Sequence, residues 1–245
     1  MRLIFLLSLC LMGASSQKSY HGAEVYSKEK VRFGKFEMRV KSASASGTLS
    51  SFFLYDDVSW QGSHPWGEID IEMLQRDERL VQTNLITGLR DSKRYAEQKH
   101  FSPTSLAKQF NIYAVEWTPN EISWYLNGSL LRREYGPQVE ELSDQFLSYR
   151  FNHWVSSSIE WVGPVDRKAL PIVQEIDWIR YYRYTPWKNG GKSRFEFSWQ
   201  DDFNYFDESR WARADWTFEG NEAQFSPENV QVKDGVLRLT LSRRR

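Results

Sequence analysis

Short stretches in which apolar and polar residues strictly alternate run along most of this 245-residue chain. In residues 35–41, for example, Phe36, Met38 and Val40 alternate with charged residues. A period of two turns one side of an extended strand towards a core, whereas an amphipathic helix needs a period of 3.6. Turn-forming pairs such as Asn127-Gly128 and Asp234-Gly235 separate the stretches. The pattern predicts an all-β fold of two stacked antiparallel sheets. The predicted strands are 35–41, 49–55, 68–74, 81–87, 112–117, 121–126, 147–151, 172–184, 195–199 and 236–241.

The charge balance argues against two classes of partner. Lys and Arg total 32, as do Asp and Glu, and nucleic acids and acidic membranes are bound by chains with a basic excess. Aromatic residues make up 16% of the chain, so some rings are expected to hold flat, half-apolar ligands and others to fill the core. We assign to the core Phe36, Phe52, Trp117, Trp124 and Trp178.

The first sixteen residues have the pattern of a secretory signal peptide. A basic start is followed by the apolar run 3–12 and by small residues at 13–16. The run is too short to span a bilayer. We therefore expect a secreted protein, extracellular or periplasmic, with no disulfide, because Cys10 is the only cysteine.

The rest of the chain, 17–245, is expected to form one β-sandwich domain. The best linker candidate is the polar, Gly- and Pro-containing segment 185–194. Only about fifty residues follow it, and a β segment of that size rarely folds alone. Its strands are therefore expected to join the same sandwich.

Three carboxylates alternate with apolar residues in the predicted strand 68–74. Glu68, Asp70 and Glu72 share one face of that strand. A row of acids without a basic residue between them raises at least one pKa, an arrangement typical of catalytic sites. A solvated strand edge and a cation site are the alternatives that the spacing leaves open.

Paired carboxyl groups, one protonated and one ionised, carry out glycoside hydrolysis. The Cα atoms of Glu68 and Glu72 are about 13 Å apart on a straight strand, so their side chains must lean together for a retaining reaction.

The motif Glu68-Ile69-Asp70-Ile71-Glu72 resembles the active-site motif of glycoside hydrolase family sixteen. The resemblance extends over nearly all of 17–245 and is greatest with bacterial endo-1,3-1,4-β-glucanases (lichenases). Other matching segments are 22–26, 33–37, 46–55, 82–84, 116–119 and 150–154. No extra residue separates Asp70 from Glu72, which favours the lichenase branch over the laminarinases.

The resemblance implies a concanavalin-like β-jelly-roll sandwich with a concave cleft. It implies that Glu68 is the nucleophile, that Glu72 is the general acid and base, and that Asp70 tunes the pair. No cofactor is implied for catalysis, and the expected partner is a β-glucan bound by a monomer. The implied sugar-binding residues are Glu24, Tyr55, Trp66, Gln82, Asn84, Arg150, Asn152, Trp154 and Trp216.

Two further expectations come from the resemblance. The segment 203–237 follows the catalytic strand, whereas it precedes that strand in most of the family, so the chain resembles a circularly permuted member in which 185–194 joins the ancestral ends. A structural calcium ion is implied at Asp177, Asp202 and Gly235. An exposed, ion-paired Asp177 is the alternative.

Two rival functions remain open at this level. One is a laminarinase-type 1,3-β-glucanase of the same family. The other is a carbohydrate-binding lectin on the same sandwich, against which the intact set Glu68, Asp70 and Glu72 argues.

Overall fold

A computed structural model describes residues 17–186 and 193–244. The proposed signal peptide, 1–16, and 187–192 of the linker segment lie outside the described residues. The first nine strands are β1 (Tyr20–Ser27), β2 (Gly34–Lys41), β3 (Thr48–Tyr55), β4 (Glu68–Leu74), β5 (Leu80–Leu89), β6 (Ser92–Tyr95), β7 (Gln98–Phe101), β8 (Asn111–Thr118) and β9 (Glu121–Leu126). They are followed by β10 (Ser129–Glu134), α1 (Pro137–Glu141), β11 (Ser148–Val155), α2 (Ile159–Val162), β12 (Ile172–Tyr184), β13 (Phe195–Asp201), β14 (Trp211–Arg213), β15 (Ala223–Phe225), β16 (Val230–Lys233) and β17 (Val236–Arg243).

The strands form two sheets that pack face to face. The front sheet has the order β14-β1-β11-β3-β4-β5, with β6 and β7 following one another along β5. The back sheet has the order β10-β9-β8-β2-β12, after which β13 and β17 each pair with one half of β12, and β16 pairs with β17. All these pairings are antiparallel. The predicted antiparallel jelly-roll sandwich is confirmed.

The core lies between the sheets, where the period-two pattern places it. Ile69, Ile71 and Met73 of β4 are at most 2% exposed, and the alternate residues of β2 face them in the same apolar cluster. Burying so much apolar surface is the main stabilisation available to a sandwich without cross-links. The core strands therefore hold the front sheet rigidly, including its outer face.

The strands that follow the linker segment enter both sheets. β13 and β17 pair with β12 of the back sheet, whereas β14 pairs with β1 of the front sheet. The linker segment is closed by a hydrogen bond of 2.8 Å from the amide of Thr185 to the carbonyl of Arg194. Residues 185–194 therefore connect two adjacent antiparallel strands.

Besides the strands that the pattern did not predict, which are β1, β6, β7, β10, β14, β15 and β16, two details of the predicted elements differ from expectation in how their residues are buried. Trp178 is not in the core: the pairing of β12 with β2 shifts register between Ile176 and Trp178, and this bulge leaves the Trp178 ring half-buried under the guanidinium of Arg180. β11 extends to Val155 instead of ending at 151, because the polar alternation of 148–152 does not continue through His153, Trp154 and Val155, which are all buried on one face or the other.

No helix in the described residues is long and apolar enough to cross a membrane.

Candidate active site

The three predicted catalytic carboxyl groups lie together on the outer face of the front sheet. The register of β4 runs without a break, with Glu68, Asp70 and Glu72 opposite Tyr55, Phe53 and Ser51 of β3. On the other side of β4, Asp70 and Glu72 face Asn84 and Gln82 of β5. Asp70 is 4% exposed, whereas both glutamates are half-buried and accessible. We call this row and the side chains around it the carboxylate face.

The Glu72 end of the row favours a protonated carboxyl group. Burial raises the pKa of Glu72 to about 8, and the negative charges of Glu68 and Glu97 contribute. The amide Nε2 of Gln82 donates to Glu72 Oε2 at 3.1 Å, and the indole of Trp161 on α2 donates to the other end of that amide at 3.3 Å. The side chain that can release a proton is therefore held in a fixed orientation.

The Glu68 end has more hydrogen-bond donors and positive charges around its carboxyl group. Burial raises the pKa of Glu68, but a 2.8 Å hydrogen bond from Trp66 and the positive charges of Lys93 and Arg150 favour its ionised form. Asp70 lies between two glutamates, and burial together with their charges raises its pKa well above the usual value. A protonated Asp70 donates a hydrogen bond to Glu68, which further lowers the pKa of that glutamate.

Arg150 organises the side of the face formed by β1, β11 and β3. Its Nη1 donates to Glu24 at 2.9 Å, and its Nη2 donates to Asp57 at 2.7 Å. The rings that surround the guanidinium within 6.0 Å are those of Tyr26, Phe53, Tyr55 and Trp216. Asn152 donates to the second oxygen of Glu24 at 3.3 Å. This network fixes a polar floor beside two aromatic side chains, Tyr55 and Trp216, that are half-buried.

The remaining predicted sugar-binding residues have different surroundings. Trp66 is half-buried, contacts Tyr55 edge-on and carries the ammonium of Lys93 over its ring at 3.8 Å. Asn84 is 4% exposed, and its Oδ1 accepts from the backbone amides of Leu85 and Ala96. Trp154 is 8% exposed and belongs to an apolar cluster with Leu49 and Leu74 beyond the Glu72 end. The structure thus brings all nine residues to the same sheet face, and their sugar contacts stay predictions.

Three members of the site had no clear signal in the sequence. Lys93 comes from β6 and Trp161 from α2, elements that are remote in sequence from β4. Asp57 lies in the loop after β3, where hydrogen bonds from Ser148 and Arg150 outweigh burial and hold its pKa below the usual value. It also pairs with Lys30 at 3.1 Å. Asp57 therefore anchors Arg150 at the side of the carboxylate face.

The predicted metal positions meet at a fork in the back sheet. β13 pairs with 179–184 of β12 and β17 pairs with 172–176, so Asp177 lies where these two partners diverge, next to the strand end that precedes Asp202 and the turn that contains Gly235. The carboxylate of Asp177 forms an ion pair with Arg39. Within 17–186 and 193–244, no group of three or more His, Cys, Asp or Glu side chains could hold a metal ion. A calcium ion at the fork would therefore depend on backbone carbonyls, and it stays a prediction.

A jelly-roll sandwich that carries paired carboxyl groups in different electrostatic surroundings, beside tryptophan and amide side chains, has the residues that glycoside hydrolases use. The chain belongs to the glycosyl hydrolases family 16, whose sequence pattern matches residues 10–180. It is 42% identical over 230 residues to a beta-glucanase of Fibrobacter succinogenes, a match that covers 94% of this chain and 66% of that protein.

Solved structures agree with this assignment. The beta-glucanase of Bacillus licheniformis superposes with a TM-score of 0.56 at 28% identity, over 64% of this chain and 70% of that one. A prokaryotic beta-1,3-1,4-glucanase (lichenase) derived from a mouse hindgut metagenome gives a TM-score of 0.55 at 26% identity, over 65% and 78% of the two chains. The chain spans just under two thirds of the length of the Fibrobacter protein.

Proposed function

We propose that this chain is a secreted endo-acting glycoside hydrolase that cleaves mixed-linkage 1,3-1,4-β-D-glucan with retention of anomeric configuration. The observation that carries the proposal is the difference in electrostatic environment between two carboxyl groups on one strand. Glu72 has its pKa raised to about 8, and Glu68 is surrounded by donors and positive charges. One carboxyl group is thereby suited to give a proton and the other to attack.

The reaction proceeds in two displacements. The Glu68 carboxylate attacks the anomeric carbon while Glu72 protonates the glycosidic oxygen, so the bond from C1 to the leaving sugar breaks and a glycosyl ester forms on Glu68. Glu72, now ionised, takes a proton from a water molecule. The resulting hydroxide attacks C1 and releases Glu68 as a carboxylate, and Glu72 is protonated again.

Asp70 links the two displacements. When Glu68 is ionised, the hydrogen bond from protonated Asp70 stabilises its negative charge. This bond weakens when Glu68 becomes an ester, because the charge is neutralised. Asp70 therefore tunes the nucleophile without touching the sugar bond that is cleaved.

The unbroken register of β4 supports the mixed-linkage substrate over a 1,3-linked one. Laminarinases of this family commonly carry an extra residue between the aspartate and the second glutamate. Here Asp70 and Glu72 are paired with consecutive same-face residues of both neighbouring strands. A laminarinase-type enzyme is the second candidate, and a non-catalytic lectin the third.

Product analysis separates the three candidates. Lichenan, barley β-glucan, laminarin and carboxymethylcellulose are incubated with the enzyme, and the new reducing ends are counted. The anomer formed first is followed by NMR. We expect release from the two mixed-linkage glucans, with the β-anomer appearing first. Release from laminarin alone would favour the laminarinase, and binding without release would favour the lectin.

We also propose that the chain is circularly permuted and acts as an exported monomer. The structural superpositions cover 64–65% of the chain, whereas the alignment with the Fibrobacter protein covers 94%. A relative with the same permuted order of segments would align along nearly the whole chain, whereas a relative with the unpermuted order would superpose on only part of it. Sequencing the N-terminus of the secreted protein tests the cleavage after residue 16, and light scattering tests the monomer.

A further inference from the structure

Arg132 is a buried cation in the back sheet that the reaction described above does not use. Its side chain is 5% exposed, and its Nε donates to Glu134 Oε1 at 2.8 Å. The guanidinium lies over the ring of Trp124 at 5.0 Å. A guanidinium that is removed from water needs acceptors for its remaining N–H groups. Those acceptors are in the other sheet.

The Nη1 of Arg132 reaches across the sandwich to the front sheet. It donates to the carbonyl and the hydroxyl of Thr83 at 3.3 and 3.4 Å, and to the carbonyl of Ala96. Thr83 separates Gln82 from Asn84 on β5. The Trp124 indole beneath the guanidinium donates to the carbonyl of Asp70 at 3.0 Å. The β9–β10 hairpin thus holds the backbone of three neighbouring segments of the front sheet: β4 at Asp70, β5 at Thr83, and the connection between β6 and β7 at Ala96.

The strand segment that Arg132 contacts is interrupted at the point of contact. β6 and β7 pair with β5 in one continuous register, Ile86 with Tyr95 and Thr83 with Gln98, so Ala96 and Glu97 stand opposite Leu85 and Asn84. In an unbroken antiparallel ladder Ala96 and Leu85 would exchange two hydrogen bonds. The amide of Ala96 does donate to the carbonyl of Leu85 at 3.0 Å.

The second hydrogen bond of that pair is replaced. The amide of Leu85 donates to Asn84 Oδ1 at 2.9 Å instead, and Arg132 takes its place as the donor to the Ala96 carbonyl. An arginine from the opposite sheet therefore supplies the donor that the interrupted ladder lacks at Ala96, the residue before Glu97.

We propose that Arg132 is a positioning residue: by holding the Ala96 carbonyl it fixes the interruption in β6–β7 and thereby keeps Glu97 opposite Asn84, across β5 from the carboxylate row. The catalytic consequence rests on the proposed function, whereas the contacts do not. Because the Glu97 charge helps to raise the pKa of Glu72, Arg132 acts on the acid through Glu97.

Several charged groups surround Glu72 and must be considered together. Glu68 and Asp70 lie on its own strand, and Ser51 of β3 and Gln82 of β5 beside it are uncharged. Lys99 stands opposite Gln82 on β7. Arg150 and Glu24 neutralise each other beyond β3. Of the charges outside β4, that of Glu97 has the clear effect on the pKa of Glu72.

The test uses Arg132→Met and Arg132→Lys, with Arg133→Met as the matched control. Arg133 is the next residue on β10, and it pairs with Glu121 and Ser123. The readout is the titration of Glu72 by NMR of carboxyl-labelled glutamate, assigned by its absence in Glu72→Gln. The basic limb of kcat/KM on barley β-glucan is the second readout. The NMR titration needs no substrate, so it stands even where the proposed glucanase activity fails.

The expected direction separates positioning from simple loss of charge. Removing a cation would raise the pKa of a nearby carboxyl group. Once Arg132 no longer holds the Ala96 carbonyl, Glu97 can move away from the carboxylate row, and the loss of its negative charge there lowers the pKa of Glu72. We therefore expect Arg132→Met to move the titration of Glu72 to lower pH by about half a pH unit or more. Arg132→Lys keeps the charge but cannot reach several acceptors with a fixed fork, so a smaller move in the same direction is expected. Arg133→Met should not move it.

A double variant closes the test. Glu97→Gln alone should move the titration of Glu72 to lower pH. The double variant Glu97→Gln/Arg132→Met should show the same titration of Glu72 as Glu97→Gln alone. The proposal is overturned by an unchanged or raised pKa of Glu72 in the folded Arg132 variants, or by additive effects in the double variant. Should Arg132→Met fail to fold, Arg132→Lys decides.

Discussion

The indole Nε1 of Trp66 donates to Oε2 of Glu68 at 2.8 Å. Trp66 lies just before the strand that begins at Glu68, so its ring reaches over the first carboxyl group of the carboxylate face. A donor at this place stabilises the ionised form of the carboxyl group. The ammonium of Lys93 lies over the face of the same ring, so Trp66 provides a hydrogen bond and holds a positive charge that both favour the ionised form of Glu68.

Replacing Trp66 with Phe should raise the pKa of Glu68. The hydrogen bond from Trp66 lowers that pKa, and Glu68 must be ionised to attack, so the acidic limb of kcat/KM should move to higher pH by about half to one pH unit. The measurement is a pH profile on barley β-glucan. Trp60→Phe is the control, since Trp60 is 59% exposed in the loop before β4. An unmoved acidic limb in Trp66→Phe would contradict the role of the hydrogen bond.

Replacing Glu68 with Gln should abolish turnover and leave glucan binding measurable. The amide cannot form the glycosyl ester, and the loss of a nucleophile lowers kcat by roughly a thousandfold or more. Reducing-sugar release and calorimetric binding to lichenan are the two measurements, with the exposed Glu219→Gln as the control. Hydrolysis that survives in Glu68→Gln would show that another group is the nucleophile.

His153 should make the fold sensitive to acid. Burial lowers its pKa to about 4, and its Nδ1 contacts the carbonyl of Leu49 at 2.6 Å. The folded-state pKa lies below the usual value near 6.5, so the stabilisation by neutral His153 is complete above pH 6.5 and is lost as the pH falls towards 4. The loss amounts to about 3 kcal/mol in the free energy of unfolding.

Urea unfolding of the wild type and of His153→Asn between pH 7 and 4 measures this effect. The amide of Asn can donate to the same carbonyl but does not titrate, so the variant should show a flatter dependence of stability on pH. His64→Asn, at an exposed loop position, should keep the slope of the wild type. Equal slopes in all three proteins would contradict a neutral, buried His153.

Removing calcium should lower the melting temperature if the fork at Asp177 binds the ion. Binding to the folded state alone stabilises it by about 2.7 kcal/mol at a hundred times Kd, which corresponds to a rise of several degrees for a chain of this size. Thermal unfolding in a chelator and again after calcium is restored is the measurement, with magnesium as the control ion. Identical melting temperatures with the chelator and with calcium would show that calcium does not stabilise this protein.

Much of the fold could be predicted from the sequence because the alternation of apolar and polar residues in a strand indicates which of its faces is buried. The strands 68–74, 121–126 and 172–184 have the predicted bounds. The same rule fails where buried residues follow one another without alternation, as at 153–155 of β11, and where a bulge adds a residue, as at Trp178. Neither burial on both faces nor a bulge can be predicted from local periodicity, because both depend on the neighbouring strands and on what covers the sheet.

The sequence by itself determined that Glu68, Asp70 and Glu72 share a face, because side chains on a strand alternate and no bulge intervenes. It also determined the sandwich and the family resemblance. Only the tertiary structure shows that the two glutamates of this row have different electrostatic surroundings. That difference comes from Trp66, Lys93 and Arg150, which favour ionised Glu68, and from Glu97, which helps to raise the pKa of Glu72; other strands and loops bring these residues to the row. Electrostatic effects on a pKa act through space over a few ångströms, and these distances exist only once the two sheets have packed.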